Sequence, residues 1–221
     1  MIKIWGRPTS ICTQRALWAL TEAKVNYELT LSSGTMGQDG HVSTGASPFG
    51  NVSTDWYEEM NPNRTVPTID DDGYVLWESN AIVTYIALKY GEGVLTDGST
   101  QTFARATQWM SWTNENLEPA LHILVMELKR LRPDLRTDGE IEKALERITP
   151  SLNVLDRHLA TNDYVAGASF TLGDIPTAAA AYRWIVFDQP GPDIPNIRAW
   201  LSHLGQRPAF VEHVAPVDYH V

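Results

Sequence analysis

The sequence predicts an α/β domain over residues 1–90, with the element order βαβ-ββα, followed by an all-helical domain over residues 97–221. Three observations predict it. Short runs of β-branched and aromatic residues at Ile2 to Trp5, Tyr27 to Leu31, Val66 to Ile69 and Tyr74 to Trp77 read as strands. Apolar residues at helical spacing follow the first and the last of these strands. Beyond Tyr90, the glycines of Gly91-Glu92-Gly93 and Asp97-Gly98 mark a linker, and every periodic segment after it is helical.

Taken in order, Ile2-Lys3-Ile4-Trp5 alternates apolar and polar residues and is stopped by Gly6-Arg7-Pro8-Thr9-Ser10. From about Thr13 to Lys24, the residues Ala16, Leu17, Trp18, Leu20 and Ala23 recur at helical spacing. Ser10 therefore lies just before a helix, where free N–H groups favour a nearby anion. The strand at Tyr27 to Leu31 completes a βαβ unit, right-handed by default. Between Ser32 and Asp55 the chain is rich in glycine and serine and is expected to form an ordered surface loop, long enough to cover a site or reach a partner subunit. Its glycines lack both the Lys-Ser/Thr ending of a phosphate loop and the spacing of a dinucleotide fingerprint, so it is assigned no nucleotide role.

Val66 to Ile69 and Tyr74 to Trp77 flank Asp70-Asp71-Asp72-Gly73, and an Asp-Gly pair supplies the positive φ of a tight turn, so an antiparallel hairpin is expected. Pro67, early in a strand-like run, fits an edge, a first position or a bulge. A cis Val66–Pro67 bond is one way to place it, and would turn the N–H and C=O of Val66 outward toward an extended peptide. Ser79 stands at or near the N-cap of a helix with Ala81, Ile82, Tyr85, Ile86 and Leu88 roughly on one face. Its hydroxyl and the adjacent N–H groups can hold a carboxylate, and Glu78 can hold an ammonium beside it. The plainer alternative is that Ser79 caps the helix and Glu78 is a solvated acid of its first turn.

The second domain is expected to contain helices at about Gln101 to Leu131, Gly139 to Thr161 with room for a break at Pro150, Leu172 to Phe187, Ile197 to Gly205 and Pro208 to His213. Trp109 and Trp112 lie in an aromatic stripe that helical spacing more often buries than exposes to a ligand. Thr171-Leu172-Gly173-Asp174 has the form of a capping box with aspartate in the Glu/Gln place.

Composition bounds the possibilities. With 221 residues, 43% of them hydrophobic, the chain can bury a substantial core. A net charge of −10 argues against nucleic acid and anionic membranes as partners. No apolar run is long enough to span a bilayer and no signal peptide precedes the first strand, so a cytoplasmic location is expected. The six histidines show no metal-ligand spacing, and no metal is expected. Cys12 is the one cysteine, which rules out an internal disulfide, and it falls between the two sulfur positions of a Cys-x-x-Cys frame, which are occupied by Ser10 and Thr13.

These residues resemble the glutathione S-transferase family. The resemblance is carried by Gly6-Arg7-Pro8-Thr9-Ser10 through Gln14-Arg15-Ala16-Leu17-Trp18, by Met60-Asn61-Pro62-Asn63 leading into Val66-Pro67, and by Glu78-Ser79-Asn80-Ala81-Ile82. In the second half it rests on Ser169-Phe170-Thr171-Leu172-Gly173-Asp174 and Arg207-Pro208-Ala209-Phe210. It implies a thioredoxin-like first domain that binds glutathione and a helical domain that carries the site for a small hydrophobic electrophile. It further implies a homodimer and glutathione as co-substrate with no other cofactor. The γ-glutamyl end of glutathione would be held by Glu78 and Ser79, and its cysteinyl backbone by Val66 before a cis Pro67. The implied catalytic residue is Ser10, whose hydroxyl would steady the thiolate, with Thr9 as the alternative. Trp109 and Trp112 lie on the helix that lines the co-substrate pocket in this family. Glutathione-dependent peroxide or disulfide reduction on the same site, or a non-catalytic binding module, are the alternative outcomes. The segment from Ser32 to Asp55 departs from the family pattern and leaves the glycyl-end contacts unassigned.

Overall fold

The computed structural model describes residues 1–33, 50–131 and 133–215. The predicted surface loop falls mostly on residues outside that set. A four-stranded mixed sheet of order β2-β1-β3-β4 forms the first domain, from β1 (Ile2–Gly6), β2 (Tyr27–Leu31), β3 (Thr68–Asp71) and β4 (Tyr74–Trp77). The first two strands pair in parallel around α1 (Ile11–Glu22), and the last two form the expected antiparallel hairpin. Its turn is Asp72-Gly73, with φ of 56° and 89°, the paired positive values of a two-residue hairpin loop. Helix α3 (Ser79–Tyr90) then packs beside α1.

The sheet is central because Ile2, Ile4 and Ile69 are buried against α1 and α3. Helix α1 begins two residues earlier than its apolar pattern suggested, with Ser10 as its N-cap. It is buried from Thr13 to Leu20 almost all round, because the sheet lies on one side and the helical domain on the other. Gly6 is required at the end of β1: a Cβ there would sit 2.6 Å from the Thr13 methyl.

One element escaped the sequence pattern. Residues Gly50–Ser53 form a 3-10 turn and Asp55–Met60 a short helix, α2, where an irregular stretch was expected. Six residues are too few to establish helical periodicity, although Thr54 before Asp55 is a recognisable start signal.

The second domain comprises α4 (Thr100–Asn116), α5 (Glu118–Val125), α6 (Glu140–Leu159), α7 (Asp174–Phe187), α8 (Pro195–Leu204) and α9 (Pro208–His213). The single long helix expected to Leu131 is instead divided at Leu117, because Pro119 lacks the N–H that would continue α4 and is accepted in the first turn of α5. After α5 the backbone widens into a π turn, Met126–Arg130. Pro150, by contrast, causes no break in α6. It lies on the exposed face, where water can satisfy the Glu146 carbonyl that it leaves unbonded.

The two domains share α1. Trp18 has no solvent exposure and packs on Phe170 and Phe210, with ring centroids 5.8 and 5.1 Å away. Buried Arg15 pairs with Glu118, while Glu22 takes both Arg207 Nε and Nη2 at 2.8 and 2.7 Å. The Arg207 guanidinium lies 3.9 Å from the Phe170 ring centre, adding a cation–π contact.

At the hairpin, Asp71 is buried and its Oδ2 accepts hydrogen bonds from Tyr90 (2.6 Å), Tyr85 (2.7 Å) and Lys89 (2.7 Å). Burial alone would push this carboxyl up, but the three donors outweigh it and hold it at about 2. The native pKa is below the unfolded value, so the stabilisation is present above pH ~4 and lost as pH falls toward 2. Asp71→Asn is therefore expected to cost about 1–2 kcal/mol at pH 7 and much less near pH 2.5, as read from urea unfolding at the two pH values. Equal losses at both would show that the carboxylate charge contributes nothing.

Candidate functional site

A cleft of about 700 Å³ opens between the two domains. Its first-domain wall holds Ser10, Val66, Pro67, Glu78 and Ser79, so the structure brings these five residues together. Each is placed by a local device that the sequence explains.

Ser10 caps α1 with extended backbone (φ −84°, ψ 122°), and its C=O accepts the first helical bond, from Gln14 N–H at 2.9 Å. Its side chain makes no capping hydrogen bond. The hydroxyl is thus available to the cleft beside the positive end of α1. Thr9 is placed differently: its Oγ1 accepts from Arg7 Nη1 at 3.1 Å, and it does not line the cleft. Cys12 lines it as a half-buried free thiol.

The Val66–Pro67 peptide bond is cis. Pairing with β1 and β4 begins only at Thr68, and among the described residues none hydrogen-bonds the N–H or C=O of Val66. The loop is braced from behind by Asn61 and Tyr57, both without solvent exposure. Asn61 Nδ2 donates to Thr65 C=O (2.9 Å) and Thr68 Oγ1 (3.0 Å), and the Tyr57 hydroxyl donates to Thr65 C=O at 2.7 Å. Burial, more than these bonds, sets the Tyr57 phenol, whose pKa is raised. The positioning roles of Asn61 and Tyr57 were not legible in sequence, since both lie beside a stretch without clear periodicity.

Glu78, rather than Ser79, is the N-cap of α3, and its carboxylate accepts the Asn80 N–H at 3.0 Å. It does so from a positive φ of 76°, uncommon for a residue other than glycine and often found at functional sites. Ser79 is 2% exposed, and its Oγ is buried with no hydrogen-bond partner. A buried hydroxyl left unpaired costs free energy that a bound acceptor would recover.

The opposite wall comes from the helical domain. Glu118, His122 and Val125 occur at spacings of four and three, so α5 turns one face to the cleft. Arg130 from the π turn and Arg183 from α7 also line it, as does Arg7 from the turn after β1. None of these residues was singled out from sequence, because each sits in a helix or turn whose pattern has an ordinary structural explanation. Trp109 and Trp112 are not brought to the cleft. They pack on each other at 4.9 Å between ring centres, and Trp109 packs on His158 at 4.5 Å, as part of the core margin between α4 and α6. Among the described residues no group of histidine, cysteine, aspartate and glutamate is arranged to hold a metal ion. None of their helices is long and apolar enough to cross a membrane.

A four-stranded sheet of this order, carrying a cis proline on the same cleft wall as a helix N-terminus, defines the first domain as thioredoxin-like, and the helical domain behind it completes a two-domain architecture. Comparison with known proteins makes the assignment specific. Residues 9–89 match the model of the glutathione S-transferase N-terminal domain, and residues 118–208 that of the C-terminal domain. Glutathione S-transferase GstB of Escherichia coli K12 is 33% identical over 211 residues, 95% of each chain. Glutathione S-transferase 3 of Zea mays is 29% identical, covering 98% of this chain and 94% of its own. The crystal structure of the theta class glutathione S-transferase of Xanthomonas axonopodis pv. citri with glutathione bound superposes with a TM-score of 0.86 at 33% identity, over 96% of each chain. The chain belongs to the glutathione S-transferase family.

Proposed function

We propose that the protein is a glutathione transferase in which Ser79 and Glu78 hold the γ-glutamyl end of glutathione, Val66 pairs with its cysteinyl backbone, and Ser10 steadies the thiolate. The observation that carries this reading is the Ser79 hydroxyl, buried at the start of α3 and unpartnered on the cleft wall that also holds Ser10 and Val66. A carboxylate accepting that hydroxyl and the neighbouring helix N–H groups satisfies all of them at once. A thiol of pKa about 8.5 is mostly protonated at neutral pH, so a hydroxyl donor beside a helix N-terminus enriches the reactive form. The thiolate then attacks a small electrophile held against the helical domain. The proposed protein is cytoplasmic and homodimeric. An exposed groove of about 520 Å³ between the β4–α3 face and α4, with Tyr74, Leu88 and Met110 on its walls, supports a second copy there.

Titration calorimetry tests the binding site. Wild-type protein is expected to bind glutathione at millimolar concentration or below, and Ser79→Ala to bind it about 10–100-fold more weakly, the loss of one hydrogen bond to a charged group. Cys-Gly, which lacks the γ-glutamyl end, should bind both proteins alike. No heat from glutathione at millimolar concentration with the wild type would sink the enzyme reading.

A further inference from the structure

The wall of the cleft that faces the electrophile is cationic. Arg7, Arg130 and Arg183 line it together, and Arg7 and Arg183 are each only 4% exposed. Arg130 sits in the π turn closed by the bond from Leu131 N–H to Met126 C=O at 2.8 Å, a helical irregularity frequent at functional sites. Its Nη1 is buried with no hydrogen-bond partner.

Two carboxylates line the cleft among the described residues, and each has a partner. Glu118 is paired with Arg15, and Glu78 accepts the Asn80 N–H in the first turn of α3. Like charges collected away from water are costly, and the cost is visible in Arg7 and Arg130. Burial first, then Arg130 and Arg183, hold Arg7 down to about 9; burial first, then Arg183, hold Arg130 to about 10. An anion placed among them relieves both penalties and supplies the acceptor that Arg130 Nη1 lacks. Ile11 and Val125 add apolar wall alongside.

We propose that the co-substrate is an anionic electrophile, a small molecule whose carboxylate is held by Arg130 between Arg7 and Arg183 while its reactive carbon faces the thiolate at Ser10. This refines the apolar electrophile that the family resemblance implies, and it rests on the glutathione reading above. With an aryl halide the sulfur lone pair forms the C–S bond at the ring carbon bearing chlorine. The C–Cl bond then breaks and chloride leaves with the bonding pair. The thiol proton has already gone to solvent, and the arginines donate hydrogen bonds without giving up a proton.

A matched pair of probes tests the charge requirement: 4-chloro-3-nitrobenzoate and its neutral carboxamide, each rate divided by its uncatalysed reaction with glutathione. The wild type is expected to favour the carboxylate by about 10-fold or more in normalised kcat/KM, and Arg130→Gln to lower the carboxylate value about 10–100-fold and the carboxamide value less than about 2-fold. The glutathione KM should not move. An equal loss on both probes, or no preference in the wild type, overturns the proposal. A rise in glutathione KM with the carboxylate preference intact also overturns it, since the arginines then hold the glycyl carboxylate. If neither probe turns over, equilibrium binding of 3-nitrobenzoate against 3-nitrobenzamide decides: Arg130-dependent selection of the anion supports the site, and its absence sinks it. Failure of the glutathione reading shows separately, as the absence of glutathione heat in a protein that still selects the anion.

Discussion

Asp174→Ala is expected to destabilise the protein by about 3–5 kcal/mol and lower its Tm by roughly 10–15 °C, because two buried backbone donors lose their acceptor together. The Asp174 carboxylate, without solvent exposure, accepts Val165 N–H at 2.9 Å, Thr171 N–H at 2.8 Å and Thr171 Oγ1 at 3.1 Å. It thereby ties the loop before α7 to the first turn of the helix. Adjacent Gly173 packs so tightly on α4 that a Cβ would lie 2.7 Å from the Ala106 carbonyl oxygen, so the segment has little room to relax. Burial pushes the Asp174 carboxyl up to about 7, while its three donors oppose the shift. The native state thus keeps this proton to a higher pH than the unfolded chain, and Asp174 makes stability fall as pH rises from about 4 to about 7. Asp174→Asn, which retains an acceptor without a titrating charge, should cost far less than alanine and flatten that slope. Denaturant unfolding of the three proteins at pH 5 and pH 8 reads both effects. A cost below 1 kcal/mol for alanine would remove Asp174 from the structural role assigned here.

The second large effect is kinetic. Ser10→Ala is expected to lower the transferase rate at pH 7 by about 10–100-fold, the consequence of a thiol pKa one to two units higher once a charged hydrogen bond is lost. Near pH 9.5 the deficit should shrink, because solvent then ionises the thiol without help. Stability should barely change, since the Ser10 side chain makes no capping bond. Thr9→Ala, which removes only the acceptor of an Arg7 contact, should leave the pH–rate profile in place. The ultraviolet absorbance of the bound thiolate measures the same shift directly. A Ser10→Ala profile that overlays the wild type, with a displaced Thr9→Ala profile, would transfer the role to Thr9.

Much of the fold was legible in sequence because it is written in local codes. The alternation in Ile2-Lys3-Ile4-Trp5, the Asp72-Gly73 turn and the glycines after Tyr90 each carry their own physical instruction. Half of the cleft was legible for the same reason: Ser10 and Ser79 announce themselves as residues at helix starts, and Pro67 as a proline out of place in a strand. Other features depend on contacts that no local pattern encodes. Asn61 brings a brace to Thr65 and Thr68 through its side chain, and nothing in Met60-Asn61-Pro62 specifies that target. Arg130 and Arg183 lie 53 residues apart in helices that pattern as ordinary amphipathic or buried segments, and only the packing of α5 and α7 brings both to one wall. Trp109 and Trp112 read two ways in sequence: helical spacing favours burial while the family resemblance points to a co-substrate wall, and their packing partners are each other and His158.

The sharing of α1 has a consequence for how the chain can fail. By order along the sequence the helix belongs to the first domain, but Arg15, Trp18 and Glu22 spend their largest side chains on Glu118, Phe170, Phe210 and Arg207. Severing the chain at the linker would leave a hydrophobic and charged face of α1 with nothing to cover it. The linker therefore separates two compositions and not two independently melting bodies. Ser10 stands at the head of that same helix, so a substitution that loosens α9 or the Phe170 loop acts on the element that positions Ser10.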